Sequence, residues 1–360
     1  MRMSGDYTPI QLMELIGLVI IFVIGIFGNV LTIYIFFIKV HKHSLKAFNL
    51  LLTLLATVDL LSTIFMPGMF IYMSIVKWQQ WHFGYLGCKI LRSFPVFFIS
   101  ISQGILIIIA YQRYQIVKRP LDNNALSRKR LMVLVLLSAF VAALLVSPWT
   151  FTLKLAENKK MGIETCNSSS MESLHLGRVL NLVFECFNLT RDISAAIALL
   201  VLSQMTSRAL TDNKEFYKSS EVIRKRVVGV RKILNTITIA FTIMVVPADL
   251  LHVTFNTMTM TMPITPEMFK VVLNLHVCLK LLQSANSAFN FLIYAKMKKD
   301  FRGILHSLAF FWRRSSWSSS DKEKNAARKR RPLKVSANTF RPRSRTETLS
   351  SSMLRRTKPQ

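Results

Sequence analysis

Ionisable side chains set inside apolar runs are the first features of this sequence that could do chemistry. Asp59 lies in LLATVDLL and Arg113 in AYQRYQIVKRPL, while Arg92, Asp249, His252, His276, Lys280 and Gln283 lie in or beside other apolar stretches. A charge in hydrocarbon is costly unless partnered, so such residues are functional candidates by default. Covalent catalysis finds no comparable support. The 7 histidines show no HExxH spacing and no GxSxG is present, so neither a metal hydrolase nor a serine nucleophile has a constellation to work with. The chemistry left is non-covalent: recognition of a ligand and rearrangement of charge between helices.

The elements that must position these residues follow from composition. Hydrophobic residues make up 51% of the 360, charged residues only 18%, and mean hydropathy is +0.37, the profile of an integral membrane protein. Apolar runs fall at about residues 10–38, 47–76, 86–118, 128–153, 178–208, 226–255 and 267–294. Each can cross a hydrocarbon core, and a lipid-exposed backbone must be helical to satisfy its own hydrogen bonds. The expected fold is an all-α membrane protein, a bundle of seven transmembrane helices. The third run, from Cys88 to Leu121, reads as one long helix around which the others are arranged.

Basic residues set the orientation. They crowd into the first, third and fifth connections (Lys39, Lys42, Lys46; Lys118, Arg119, Arg128 to Arg130; Arg208, Lys214, Arg224 to Arg226) and into the C-terminal tail. By the positive-inside rule the N-terminus, residues 1–9, is extracellular, residues 10–295 form the membrane domain, and the tail is cytoplasmic. The first span reads as an uncleaved anchor. The net charge of +29 therefore reports topology and lipid contact, and nucleic acid is not an expected partner.

Cys88, at the outer end of the third span, and Cys166, in the outer loop after the fourth, both face an oxidising compartment and can pair. Cys186 and Cys278 are expected as free, buried thiols. Asn167 begins an Asn-Ser-Ser glycosylation sequon on the outer side, whereas the Asn188 sequon falls inside the fifth span, which argues against its use.

With seven spans, that cysteine pair and QRY at the inner end of the third helix, the chain resembles the rhodopsin-like (class A) G-protein-coupled receptors. Asn29 in GNVL and Asp59 match the family's first- and second-helix polar residues. Trp81, Phe83 and Gly84 in WHFGYLGC match its first outer loop. Arg113 and Tyr114, then Pro120 and Leu121, match the DRY motif and second inner loop, Phe241 and Pro247 the sixth helix, and Asn290 and Tyr294 the NPxxY region. Phe301 matches the anchor of an amphipathic interfacial eighth helix, here residues 296–308.

The resemblance implies a plasma-membrane, multi-pass receptor that binds an extracellular ligand and activates heterotrimeric G proteins. Arg113, Tyr114, Pro120, Leu121 and Tyr294 would contact the G protein. Asp59 with Asn29, Ser102, Asn286, Ser287 and Asn290 would form an activation cluster, and a sodium ion at Asp59 is the one cofactor the resemblance admits; a hydrogen-bonded packing cluster without an ion is the alternative. Gln112 replaces the DRY acid, which weakens the lock on Arg113, because a neutral amide loses the charge-assisted part of the bond. Val245 replaces the toggle tryptophan, Phe291 the NPxxY proline, and Ser138 or a neighbour a fourth-helix tryptophan.

Ligand class is narrowed by exclusion. Ser284 stands where opsins hold their retinal lysine, and Pro95 where amine receptors place an aspartate. Arg92, Asp249, His252, His276, Lys280 and Gln283 are the pocket candidates, with Asp249 and Lys280 expected to pair or to meet a ligand. A basic lining suits a carboxylate, so a peptide comes first and a small lipid or metabolite second. A polytopic transporter or channel is the remaining alternative, but no inverted repeat supports it. The tail, residues 309–360, is basic, Ser/Thr-rich and expected to be disordered, and its phosphorylation by a receptor kinase would create an arrestin-binding surface.

Overall fold

The computed structural model describes residues 8–42, 46–76, 80–120, 127–158, 163–168, 176–214, 221–297, 301–303, 305 and 307. Leu121 and the tail lie outside them, and the architecture below belongs to the unit Met1–Leu305.

Helices α1 (Pro9–Lys42), α2 (Lys46–Ile75), α3 (Gly84–Leu91), α4 (Phe94–Lys118) and α5 (Arg128–Thr152) come first. A hairpin of β1 (Leu153–Asn158) and β2 (Ile163–Ser168) follows, then α6 (Leu176–Asp212), α7 (Glu221–Thr261) and α8 (Pro266–Met297). Seven spans are long and apolar enough to cross a membrane, with α3 and α4 together supplying the third. The chain is a multi-pass membrane protein with a bundle of seven transmembrane helices. Outward side chains fit that medium: Phe27, Val133, Leu136 and Phe140 are each more than 60% exposed, an arrangement stable against lipid but not against water.

Helix α4 is the hub. It packs against α2, α5, α6 and α7, and its Ile105 and Ile109 are fully buried beside Leu51 and Leu55 of α2 and Leu131 of α5. Hydroxyls inside the apolar medium are satisfied locally: Thr32, Thr63, Thr238 and Thr242 each donate to the carbonyl four residues back.

The third span is not the single helix its hydropathy implies. It breaks at Arg92 and Ser93, because Pro95 cannot donate the bond that would continue α3 into α4. Ser93 covers the break, its hydroxyl donating to the Lys89 carbonyl at 2.8 Å and meeting Thr150 of α5 at 2.8 Å. The hairpin was not expected either. Its strands pair antiparallel from Leu153 with Ser168 to Asn158 with Ile163, which places Asn167 of the sequon opposite Lys154.

A further correction concerns the cysteines. Cys186 and Cys278 are free but exposed on the outside of the bundle, not buried. Of residues 296–308, Phe301–Gly303 is helical, with Phe301 buried against Phe36, Phe291 and Tyr294; Lys298 to Asp300 lie outside the described residues.

Candidate functional site

One end of the bundle is roofed by the hairpin. Cys88 of α3 and Cys166 of β2 form a disulfide with Cα atoms 5.6 Å apart. Trp81 completes the corner. Its backbone N–H donates to the Glu164 carbonyl at 2.8 Å, its indole N–H donates to the Gly84 carbonyl at 2.9 Å, and its ring packs with the disulfide, Met73 and Leu153. Gly84 sits at φ +60°, which a side chain would strain. Arg92, at the break in the third span, donates from Nη1 to the Cys166 carbonyl at 2.8 Å.

Beneath this roof lies a cavity of about 200 Å³ whose polar lining includes Arg92, Glu185, Arg191, Asp249, His252 and Gln283. Four of the six pocket candidates therefore meet there, and two do not. Lys280 is paired instead with Glu14 of α1, its Nζ donating to Oε1 at 2.7 Å with both side chains buried, so the expected pair with Asp249 is absent. His276 stacks on His252, rings 5.1 Å apart, behind the lining. Asp249 is met by Gln283, whose Nε2 donates at 3.4 Å.

The fifth span contributes a network that the sequence reading passed over. Asp192 is fully buried, and its Oδ1 accepts from Gln103 Nε2 at 2.7 Å and from Arg191 Nε at 2.6 Å. Arg191 Nη1 also donates to Ser100 at 3.1 Å and to Asn188 at 2.9 Å. The signal was available: an Arg-Asp pair in the apolar run NLTRDISAAIALL is an intramembrane charge that requires a role.

At mid-bundle Asp59 is 1% exposed and joins three helices. Its Oδ1 accepts from Ser102 at 2.8 Å and its Oδ2 from Asn290 at 2.7 Å. Ser287 donates to Ser62 at 3.0 Å, and Asn29 donates to the Ser287 backbone carbonyl at 3.3 Å. Ser62 was not among the expected members. Asn286 is half-buried and takes no part in these bonds among the described residues.

The opposite end of the bundle is held together by polar and aromatic contacts. The Arg113 guanidinium lies over the Phe48 ring, 3.5 Å from its centroid, a cation–π contact that keeps it against α2. Gln112 is buried, and its Oε1 has no hydrogen-bond partner among the described residues, Arg113 included. Tyr114 lies beneath Lys118, and Pro120 is half-buried in the turn after α4. Tyr294 is buried edge-on to Phe36, centroids 5.9 Å apart. Helix α7 is fastened to α6 by Arg231 donating to Ser207 and by Ser203 donating to Asn235, while Asn213 of the loop after α6 donates to the Val117 carbonyl at 3.1 Å.

The model of the 7 transmembrane receptor (rhodopsin family) matches residues 28–294, most of the described bundle. The chain belongs to this family. Among curated relatives, the chain is 28% identical to neuropeptide receptor 22 of Caenorhabditis elegans over 40% of its length, and 32% identical to the urotensin-2 receptor of Bos taurus over 37%. Both matches cover 33% of those proteins, so the chain spans about a third of their length. It is 24% identical to proteinase-activated receptor 2 of Rattus norvegicus over 79% of its own length and 68% of that protein.

Membership makes the departures from the family pattern structural questions. In this rhodopsin-family chain Val245 is fully buried where the toggle indole would stand. Phe291, replacing the NPxxY proline, packs on α1, where a Cβ at Gly28 would come within 2.6 Å of its ring. Ser138 accommodates a close approach of α5 to α4: a Cβ at Gly104 would lie 1.8 Å from its Oγ, a space no tryptophan could share.

Proposed function

We propose that this receptor binds an extracellular peptide in the cavity beneath the hairpin and activates heterotrimeric G proteins from its inner face. The observation that carries the reading is the cavity itself: charged side chains of α6 and α7, buried at a depth where charge is expensive, converge under a disulfide-tethered roof. The similarity to neuropeptide receptor 22 favours a peptide. In this reading the N-terminus is extracellular and the receptor works at the plasma membrane, with Asn167 available for glycosylation.

Ligand binding shifts a population in which the inner end of α7 moves away from α4. The bonds from Arg231 and Asn235 to α6 make α6 and α7 move together or part at those two contacts. Arg113, Tyr114, Pro120, Leu121 and Tyr294 then complete a cleft for the G protein. The phosphorylated tail would recruit arrestin after a receptor kinase acts on it. Moving an equilibrium from 1:99 to 99:1 takes about 5.5 kcal/mol of differential binding. A lock without the DRY acid lowers that demand.

The cluster at Asp59 suits a sodium ion by donor chemistry: a carboxylate and the hydroxyls of Ser62, Ser102 and Ser287 are hard oxygen ligands. A cation held there by Asp59, Ser62, Ser102 and Ser287 would supply the positive charge that balances the Asp59 carboxylate. A peptide-library screen with a promiscuous G-protein reporter tests the whole reading. Response to at least one peptide, lost in Arg113→Ala at equal surface expression, is the expected result; peptide-driven current or flux in liposomes lacking G protein would overturn it.

A further inference from the structure

The carboxyl groups of Asp249 in α7 and Asp192 in α6 lie within hydrogen-bonding reach of each other. Both are buried, and Oδ2 of each accepts from no donor among the described residues. Two carboxyl groups in contact cannot both hold a full negative charge unless a proton or another cation stands with them. Arg191 serves Asp192 at 2.6 Å, so the carboxyl group that needs a proton or another cation is Asp249, which the Gln283 amide meets at 3.4 Å.

Asp249, not Asp192, lines the cavity, so the proton or other cation that the pair requires stands on the side a ligand would fill. The neighbouring groups do not meet that need. Arg92 is engaged with the Cys166 carbonyl and Arg191 with Asp192, Ser100 and Asn188. His252 has Nδ1 3.6 Å from the Glu185 carboxylate and Nε2 3.1 Å from His276 Nδ1. Among the described residues, the lining and Asp192 behind it thus bring three carboxyl groups against two guanidinium groups already in use. Much of the remaining lining is apolar, with Met69, Phe70 and the Trp149 and Phe184 rings, the last two stacked 4.7 Å apart.

We propose that Asp249, backed by Asp192, is a cation subsite that takes an ammonium or guanidinium group carried on an apolar body. A bare metal ion would find too few oxygens there to replace its water, whereas an organic cation brings apolar surface that the Met and aromatic lining covers. The acid that amine receptors carry at the place of Pro95 is thus supplied from the opposite wall, by α7. The inference rests on the cavity being the ligand site, and it names the ligand's chemistry: a basic side chain of a peptide, or a free amine.

The test is thermal stabilisation of the purified full-length receptor in lipid nanodiscs, which needs no G protein and so separates this claim from the coupling reading. Benzamidine and phenethylamine are compared with their neutral counterparts benzamide and 2-phenylethanol, and with an acetylated Arg-Phe amide dipeptide, on unmodified protein and on Asp249→Asn. Half-maximal stabilisation at a concentration about tenfold or more below that of the neutral counterparts is expected, as is loss of that difference in Asp249→Asn. Preference for the dipeptide identifies a peptide side chain and preference for the amine a small ligand, and either supports the subsite. Equal stabilisation by charged and neutral probes on unmodified protein, persistence of the preference in Asp249→Asn, or no stabilisation at millimolar probe overturns it.

Discussion

The Lys280 ammonium and the Glu14 carboxylate lie 2.7 Å apart with both side chains buried, joining the last spanning helix to the first. Removing the carboxylate takes from Lys280 the anion it donates to inside the bundle. Glu14→Gln is expected to destabilise the receptor by about 3–5 kcal/mol, and the double variant Glu14→Leu with Lys280→Met to recover most of that loss, because a buried pair is replaceable by apolar contact. Thermal unfolding of the three proteins in one lipid checks this; a Glu14→Gln protein as stable as the parent contradicts it.

The disulfide gives a second expectation. Cys88→Ala frees the hairpin from α3 and should cost about 2–4 kcal/mol, with loss of ligand response and of surface expression. Full retention of both would show that Trp81, through its bonds to Glu164 and Gly84, holds the roof by itself.

Packing between α4 and α5 gives a third. A Cβ at Gly104 would lie 1.8 Å from Ser138 Oγ and 2.9 Å from its Cβ, so rotating the hydroxyl away does not relieve the clash. Gly104→Ala should lower the unfolding temperature, and Ser138→Gly added to it should restore the parent value. Failure of the second change to rescue the first would place the strain elsewhere.

The polar cluster gives a fourth. With Asp59 bonded to both Ser102 and Asn290, Asp59→Asn should abolish any dependence of basal nucleotide exchange on sodium, measured against potassium at constant ionic strength. A sodium effect of equal size in parent and variant would rule out this cluster as the ion's site.

Much of this was legible in the chain because the medium constrains it. Lipid leaves the backbone only helices, so apolar run length alone located the seven spans, and compartment alone pointed Cys88 toward Cys166. Asp59, Ser102 and Asn290 were readable because an intramembrane carboxylate must find partners. The pairing of Lys280 was not, since Glu14 is 266 positions away and nothing local separates it from Asp249. The break at Arg92 was signalled by Pro95, yet hydropathy is blind to a missing N–H. The hairpin was hidden because LKLAEN and IETCNS are short strands that become stable only against Trp81 and the disulfide. Arg191 and Asp192 stood in plain view and were absorbed into an apolar average.

The central claim is tested most directly by guanine-nucleotide exchange on purified heterotrimeric G proteins by the receptor in nanodiscs, without ligand. Because the Gln112 amide oxygen meets no donor among the described residues and Arg113 rests on Phe48, basal exchange above that of the G protein alone is expected. It should fall in Gln112→Asp, which restores an acid beside the arginine, and vanish in Arg113→Ala. Basal exchange that is the same in all three proteins at equal receptor concentration would contradict the account.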